Sequence, residues 1–82
     1  MDEIKQTVKT YILEEFLPGE SAEALSDSTP LITQGILDSL ATLKLVAFLE
    51  ERFGVKLEAH EVGVDHMNTI SDIAELVQSK RG

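Results

Sequence analysis

The sequence predicts an all-α fold: a small four-helix bundle of three main helices and one short one, with a long loop between the first and second helices. Apolar residues recur at spacings of three and four in three separate segments, and each segment carries its own start or stop signals. Helices of about fifteen residues, with apolar faces that need one another, pack as a bundle. At 82 residues the chain has room for a single small domain, residues 1–82, around one modest core.

The first helix is read over residues 2–17, where Ile4, Val8, Tyr11, Ile12 and Phe16 fall on one face. Pro18 and Gly19 end it, because proline cannot continue the hydrogen-bond ladder and glycine tolerates the cap conformation. Residues 18–38 then form a connection of about twenty residues, a length that is often functional in a compact domain. Leu25, Leu31, Ile32, Ile36 and Leu37 are its expected anchors, and "ESAEAL" (residues 20–25) is read as a single helical turn.

Residues 39–53 are the second helix, with Asp38 or Ser39 suited to cap its first amides and Gly54 placed as its C-terminal stop. After the mixed signals of "VKLEAHEV", residues 64–68 read as one short helical turn or an irregular linker. Thr69 offers an N-cap to the last helix, in which Ile70, Ile73, Ala74 and Val77 form a stripe reaching about Lys80 and Asp72 suits the positive end of the helix.

Fifteen acidic residues against seven basic ones give a net charge of −8, which repels phosphate backbones and anionic lipid surfaces. Nucleic acid and membrane are therefore not expected partners, and basic patches on other proteins are. The start "MDEIKQTVKTY" lacks the apolar run of a signal peptide, and the expected location is the cytoplasm, as a monomer. No cysteine is present, so any thiol chemistry requires a sulfur the polypeptide does not encode.

The stretch "GILDSLATLKLVAFLEERFGV" (residues 35–55) places Ser39 where the second helix begins, and three roles compete for it. It is a capping residue; or a nucleophile, which requires a base within reach and an oxyanion hole; or the acceptor of a phosphate-linked group. The nucleophile reading has little support, since His60 and His66 are the only histidines and G-x-S-x-G is absent. A phosphodiester at a helix start lies near unpaired N–H groups and the positive end of the dipole, an effect of about 0.3–1 kcal/mol at an exposed site.

The "GILDSL" box, "FLEERFGVKL", the closing "TISDIAELV" and the long first loop with Leu31 together resemble the acyl carrier proteins and the related peptidyl and aryl carriers, over nearly the whole chain. The resemblance implies that Ser39 receives 4′-phosphopantetheine from coenzyme A through a phosphopantetheinyl transferase. The terminal thiol would then hold acyl or aminoacyl groups as thioesters and deliver them to partner enzymes. By the same resemblance the chain has no catalytic residues of its own. Asp38 matches the acidic neighbour that assists the transferase, and Leu40 the position that anchors the helix and contacts partners. The implied partners are the transferase, an acyl- or aminoacyl-loading enzyme and a downstream synthase or transferase.

A helical wheel puts Leu40, Leu43, Val46, Ala47, Leu49 and Phe53 on or beside the core side of the second helix. Ala41, Lys44, Phe48, Glu51 and Arg52 fall on the opposite arc, which in the resembled family docks partner enzymes. In carriers of primary fatty-acid synthesis that arc is rich in carboxylates, whereas here Ala41, Lys44 and Arg52 are neutral or basic and only Glu50 and Glu51 keep acidic character. The departure points to a discrete carrier for a specialised polyketide or nonribosomal-peptide-type pathway, with a primary fatty-acid carrier as the alternative. Ala47 and Phe48 are the expected neighbours of an acyl pocket. From a different class, an unmodified helical adaptor would bind a partner through the Phe48 face.

The pairs His60 with Glu61 and Asp65 with His66 lack further ligands at a suitable spacing, so no metal site is expected. Met67 is read as core or pocket lining.

Overall fold

The computed structural model describes residues 2–19 and 25–81, so the helical turn expected from "ESAEAL" falls largely outside the described residues. Four α-helices are present among them, and no strand: α1 Asp2–Phe16, α2 Ser39–Phe53, α3 Val64–Met67 and α4 Ile70–Arg81. A 3-10 turn, Ala59–Glu61, precedes α3 and arises from the "VKLEAHEV" stretch of mixed signals.

In α1 the spacing of four puts Ile4, Val8 and Ile12 on the inner face, each at most 1% exposed, with Tyr11 and Phe16 half-buried beside them. The main partner of α1 is α4, whose Ile70, Ile73, Ala74 and Val77 are fully buried, as the stripe predicts. Leu76 joins them at 7% exposure. Thr69 caps α4 by accepting the Asp72 N–H at 3.0 Å on its hydroxyl, and Lys80 and Arg81 occupy the last turn, where the dipole favours cations.

The described part of the connection between α1 and α2, residues 25–38, is held down at several points. Leu25, Leu31 and Leu37 are buried, each contributing about 1.5–3 kcal/mol by area removed from water, and Ile32 and Ile36 pack partly against the same core. Asp27 pairs with Lys5 at 3.4 Å and Lys9 at 3.9 Å on α1, while its carbonyl accepts the Ser71 N–H of α4 at 3.1 Å. The turn that follows is bound to Asn68.

The core arc of α2 is rotated from the one expected. Leu45 and Leu49 are fully buried and Ala41 is 8% exposed, while Leu40 at 63% and Leu43 at 62% face solvent and Ala47 is exposed. Apolar side chains run almost all round this helix, so its periodicity has no single phase and packing against α1 selects it. Phe48 is half-buried because Tyr11 of α1 stacks on it, with ring centroids 4.0 Å apart and planes at 12°.

Gly54 closes α2 with φ 66°, the left-handed conformation that glycine adopts without steric cost. The extended stretch after it buries Val55 and Leu57, and the Glu50 carboxylate accepts the Leu57 N–H at 2.9 Å. Glu61 of the 3-10 turn accepts the Glu58 N–H at 2.9 Å and meets the Lys80 ammonium at 2.7 Å, fastening this stretch to the end of α4. Met67 of α3 is fully buried, as expected.

Candidate functional site

Asp38 sets the geometry at the start of α2. Its backbone is extended (φ −84°, ψ −174°) and its carboxylate Oδ1 accepts the Ala41 N–H at 2.8 Å. Its carbonyl accepts both the N–H and the hydroxyl of Thr42, each at 2.8 Å. Asp38 is therefore the cap, and the alternative that Ser39 caps the helix is set aside. Ser39 is the first helical residue, exposed, and no hydrogen bond of its hydroxyl is present among the described residues.

Two grooves flank this hydroxyl. On one side Ile32, Leu37, Thr42, Leu43, Val62 and Val64 shape an open trough of about 360 Å³ that reaches Ser39 itself. On the other, Phe16, Leu40, Ala41 and Lys44 line a smaller hollow of about 170 Å³ beside Asp38. Leu40, Leu43 and Val64, the last 46% exposed, make the rim around the serine apolar. Such a site offers a free hydroxyl at the positive end of a helix and an apolar shelf for whatever is attached to it.

The histidines that a serine nucleophile would need do not line either groove; His60 and His66 are exposed elsewhere on the surface. Of the residues expected to form the outer face of α2, Lys44, Glu51 and Arg52 are exposed. Ala41 is buried and Phe48 is half-buried against Tyr11, so neither belongs to the open face. Phe48 and Ala47 also do not line the trough beside Ser39; Phe48 borders a separate groove of about 280 Å³ with Gln6, Thr7, Thr10, Tyr11 and Glu14.

The helical wheel places Leu40 and Leu43 on or beside the core side, and no sequence signal marks Val64. The usable signal was the cap: once Asp38 starts the helix, Leu40 and Leu43 follow at the second and fifth helical positions, next to the serine. Glu50, read as part of an acidic face, is turned to the Leu57 N–H.

A family model described as "Phosphopantetheine attachment site" matches residues 7–77. The D-alanyl carrier protein of Streptococcus sanguinis (strain SK36) is 33% identical over 70 residues, covering 85% of this chain and 86% of the relative. The D-alanyl carrier protein of Streptococcus suis (strain 98HAH33) is 32% identical over 81 residues, covering 94% of this chain and 99% of the relative. Among solved structures, a chain from a crystal structure described as an FAD-dependent dehydrogenase superposes with a TM-score of 0.76 at 34% identity, over 85% of this chain and 97% of that one.

Proposed function

We propose, from the premise that this chain belongs to the phosphopantetheine-attachment family and is a non-catalytic carrier protein, that Ser39 takes the 4′-phosphopantetheine arm and that the arm carries an amino acid. The observation that carries the reading is the exposed Ser39 hydroxyl at the capped N-terminus of α2, between two grooves.

The residues present fit such a group. Asp38 holds the Ala41 N–H with its own carboxylate, leaving the hydroxyl of Ser39 free to react and the Ser39 and Leu40 amides ahead of that cap to face a phosphodiester. Within a phosphopantetheinyl transferase, Ser39 Oγ forms the new bond to phosphorus, its proton passes to the enzyme's base, and the nucleotide half of coenzyme A leaves. When bound, the group supplies the thiol that the cysteine-free chain lacks. Leu43 and Val64, which line the trough beside Ser39, would offer the arm apolar contact.

The aminoacyl cargo is supported by the relatives, which are D-alanyl carriers by name and match this chain over most of both lengths. The trough is open to solvent, which suits a short polar cargo, and this favours an aminoacyl pathway over polyketide or fatty-acid carriage. Partner enzymes would meet Leu40, Leu43, Lys44, Ala47, Glu51 and Arg52, the open face of α2. The partners are the transferase, an adenylating ligase that loads the amino acid, and an acceptor enzyme. The likeness to a chain from a flavin-enzyme structure adds a dehydrogenase acting on the tethered group as a further partner class to assay.

The test is intact-protein mass. With coenzyme A, magnesium and a promiscuous transferase, the wild type is expected to gain one phosphopantetheine and Ser39→Ala none. The product is then offered D-alanine, other amino acids with their ligases, and malonyl-coenzyme A with its transferase. Loading by malonyl alone would sink the aminoacyl reading, and modification of Ser39→Ala would sink the assignment of the site.

A further inference from the structure

Asn68 joins α3 to α4 between two fully buried side chains, Met67 and Ile70. Its Oδ1 accepts the N–H of Ile32 at 2.9 Å and of Thr33 at 3.1 Å, and its own carbonyl accepts the N–H of Leu31. Three consecutive amides of the loop therefore end on one residue, which stands 36 positions from Ile32.

The turn thus gripped leads directly to the serine. The Leu31 carbonyl accepts the Leu37 N–H at 3.0 Å, and Gly35, at φ 81°, supplies the left-handed backbone that lets the chain reverse between them. Leu37 precedes the cap Asp38, and Ile32 and Leu37 are both walls of the trough beside Ser39. One face of the site is consequently built from Ile32, whose amide rests on the Asn68 side chain, and from Leu37, whose amide is held by the Leu31 carbonyl of the same turn.

We propose that Asn68 is a positioning residue for the modification of Ser39: it holds the turn of residues 31–37 in the arrangement that a phosphopantetheinyl transferase meets. The proposal rests on Ser39 being the attachment site. Without the accepting oxygen the Ile32 and Thr33 amides turn to water, the turn loosens, and the enzyme must order it on docking. The cap on Ala41 belongs to Asp38 and is untouched, so the reactivity of the hydroxyl stays as it was. The cost therefore falls on encounter and not on the chemical step.

The experiment is steady-state modification of the apo chain by a transferase with coenzyme A, comparing wild type, Asn68→Ala and Asn68→Asp. It is paired with amide hydrogen exchange at Ile32 and Thr33. Asn68→Ala is expected to raise KM roughly tenfold with kcat within about twofold, while Asn68→Asp, which keeps an accepting oxygen, restores KM to within about threefold. Exchange at the two amides quickens in the alanine variant and not in the aspartate one, with α4 unchanged. Quickened exchange at Ile32 and Thr33 with a wild-type KM overturns the proposal, as does equal loss in both variants. If Asn68→Ala does not fold, Asn68→Gln, which displaces the oxygen by one methylene, takes its place under the same criteria. A wild type that gains no mass at Ser39 removes the attachment reading; a wild type that is modified beside an Asn68→Ala of equal KM overturns the role of Asn68 alone.

Discussion

Tyr11 lies flat on Phe48, ring centroids 4.0 Å apart, and its hydroxyl donates to the Lys44 carbonyl at 3.3 Å. One α1 side chain thereby touches α2 through both its face and its tip, and Phe16 adds an edge-on contact at 5.7 Å. Phe48→Ala is expected to destabilise by about 2–3 kcal/mol, less than a fully buried phenylalanine because one side is open, while Phe48→Leu keeps much of that area. Urea denaturation measures both. An adaptor that used Phe48 as its partner anchor would instead lose binding with no loss of stability.

Tyr11 also offers a clean titration, since it is the only tyrosine in the chain. Burial, with a smaller effect from the nearby Glu15 carboxylate, raises the Tyr11 pKa above the ordinary 10.0. A raised folded-state value means that the folded chain holds the proton more tightly than the unfolded one. The associated stability is complete below about pH 10 and is lost as pH rises through the folded value. Phenolate absorbance is expected to show a midpoint above that of free tyrosine, and Glu15→Gln to move it part of the way back.

Glu61 behaves in the opposite sense. Its hydrogen bond from the Lys80 ammonium, followed by the Glu58 N–H, holds its carboxyl below the ordinary 4.5. Stability from this contact is present above the ordinary carboxylate value and disappears as pH falls through the lowered, folded one. Thermal melts taken from neutral pH into acid are expected to decline less steeply for Lys80→Met than for wild type.

At the start of α2 the two neighbours separate structure from chemistry. Asp38→Ala removes the cap and is expected to cost about 0.5–2 kcal/mol, whereas Ser39→Ala changes stability by no more than about 0.5 kcal/mol because Ser39 is exposed and does not cap. Circular-dichroism melts of both variants distinguish them. The serine variant is expected to keep its fold and accept no prosthetic group.

Leu43 is 62% exposed on the rim of the trough. Leu43→Arg is expected to alter stability by less than about 0.5 kcal/mol and to raise the transferase KM several-fold, since truncating or charging an apolar anchor costs binding where it is buried by a partner. Unchanged kinetics would remove Leu43 from the docking face.

What could be read in the chain depended on how narrow each pattern was. The stripes of α1 and α4 are bounded by polar residues on both sides, so Ile4, Val8, Ile12, Ile70, Ile73 and Val77 had one possible interior, and all are buried. The loop anchors Leu25, Leu31 and Leu37 stood out as apolar residues in a polar stretch. The family and the Thr69 cap were legible for the same reason: each rests on short patterns carried by adjacent residues. In α2 the run from Leu40 to Leu49 is apolar at all but two positions, Thr42 and Lys44, the only breaks a wheel could use, and the inward third is chosen by Tyr11 on a different helix. The Asn68 clamp was illegible because a hydrogen bond between distant residues leaves no local periodicity.

The packing of α1 chiefly on α4 has a consequence for how the fold is made. α1 leaves the ribosome well before α4 and finds its main partner only when α4 has emerged, so α1 must wait, largely exposed, through the synthesis of everything between. Closing so long a span is entropically slow compared with pairing adjacent helices, and it makes the fold nearly all-or-none. On the proposed attachment at Ser39, a modifying enzyme would meet the serine in its finished setting only after translation has passed α4, which would separate maturation from synthesis without any dedicated checkpoint.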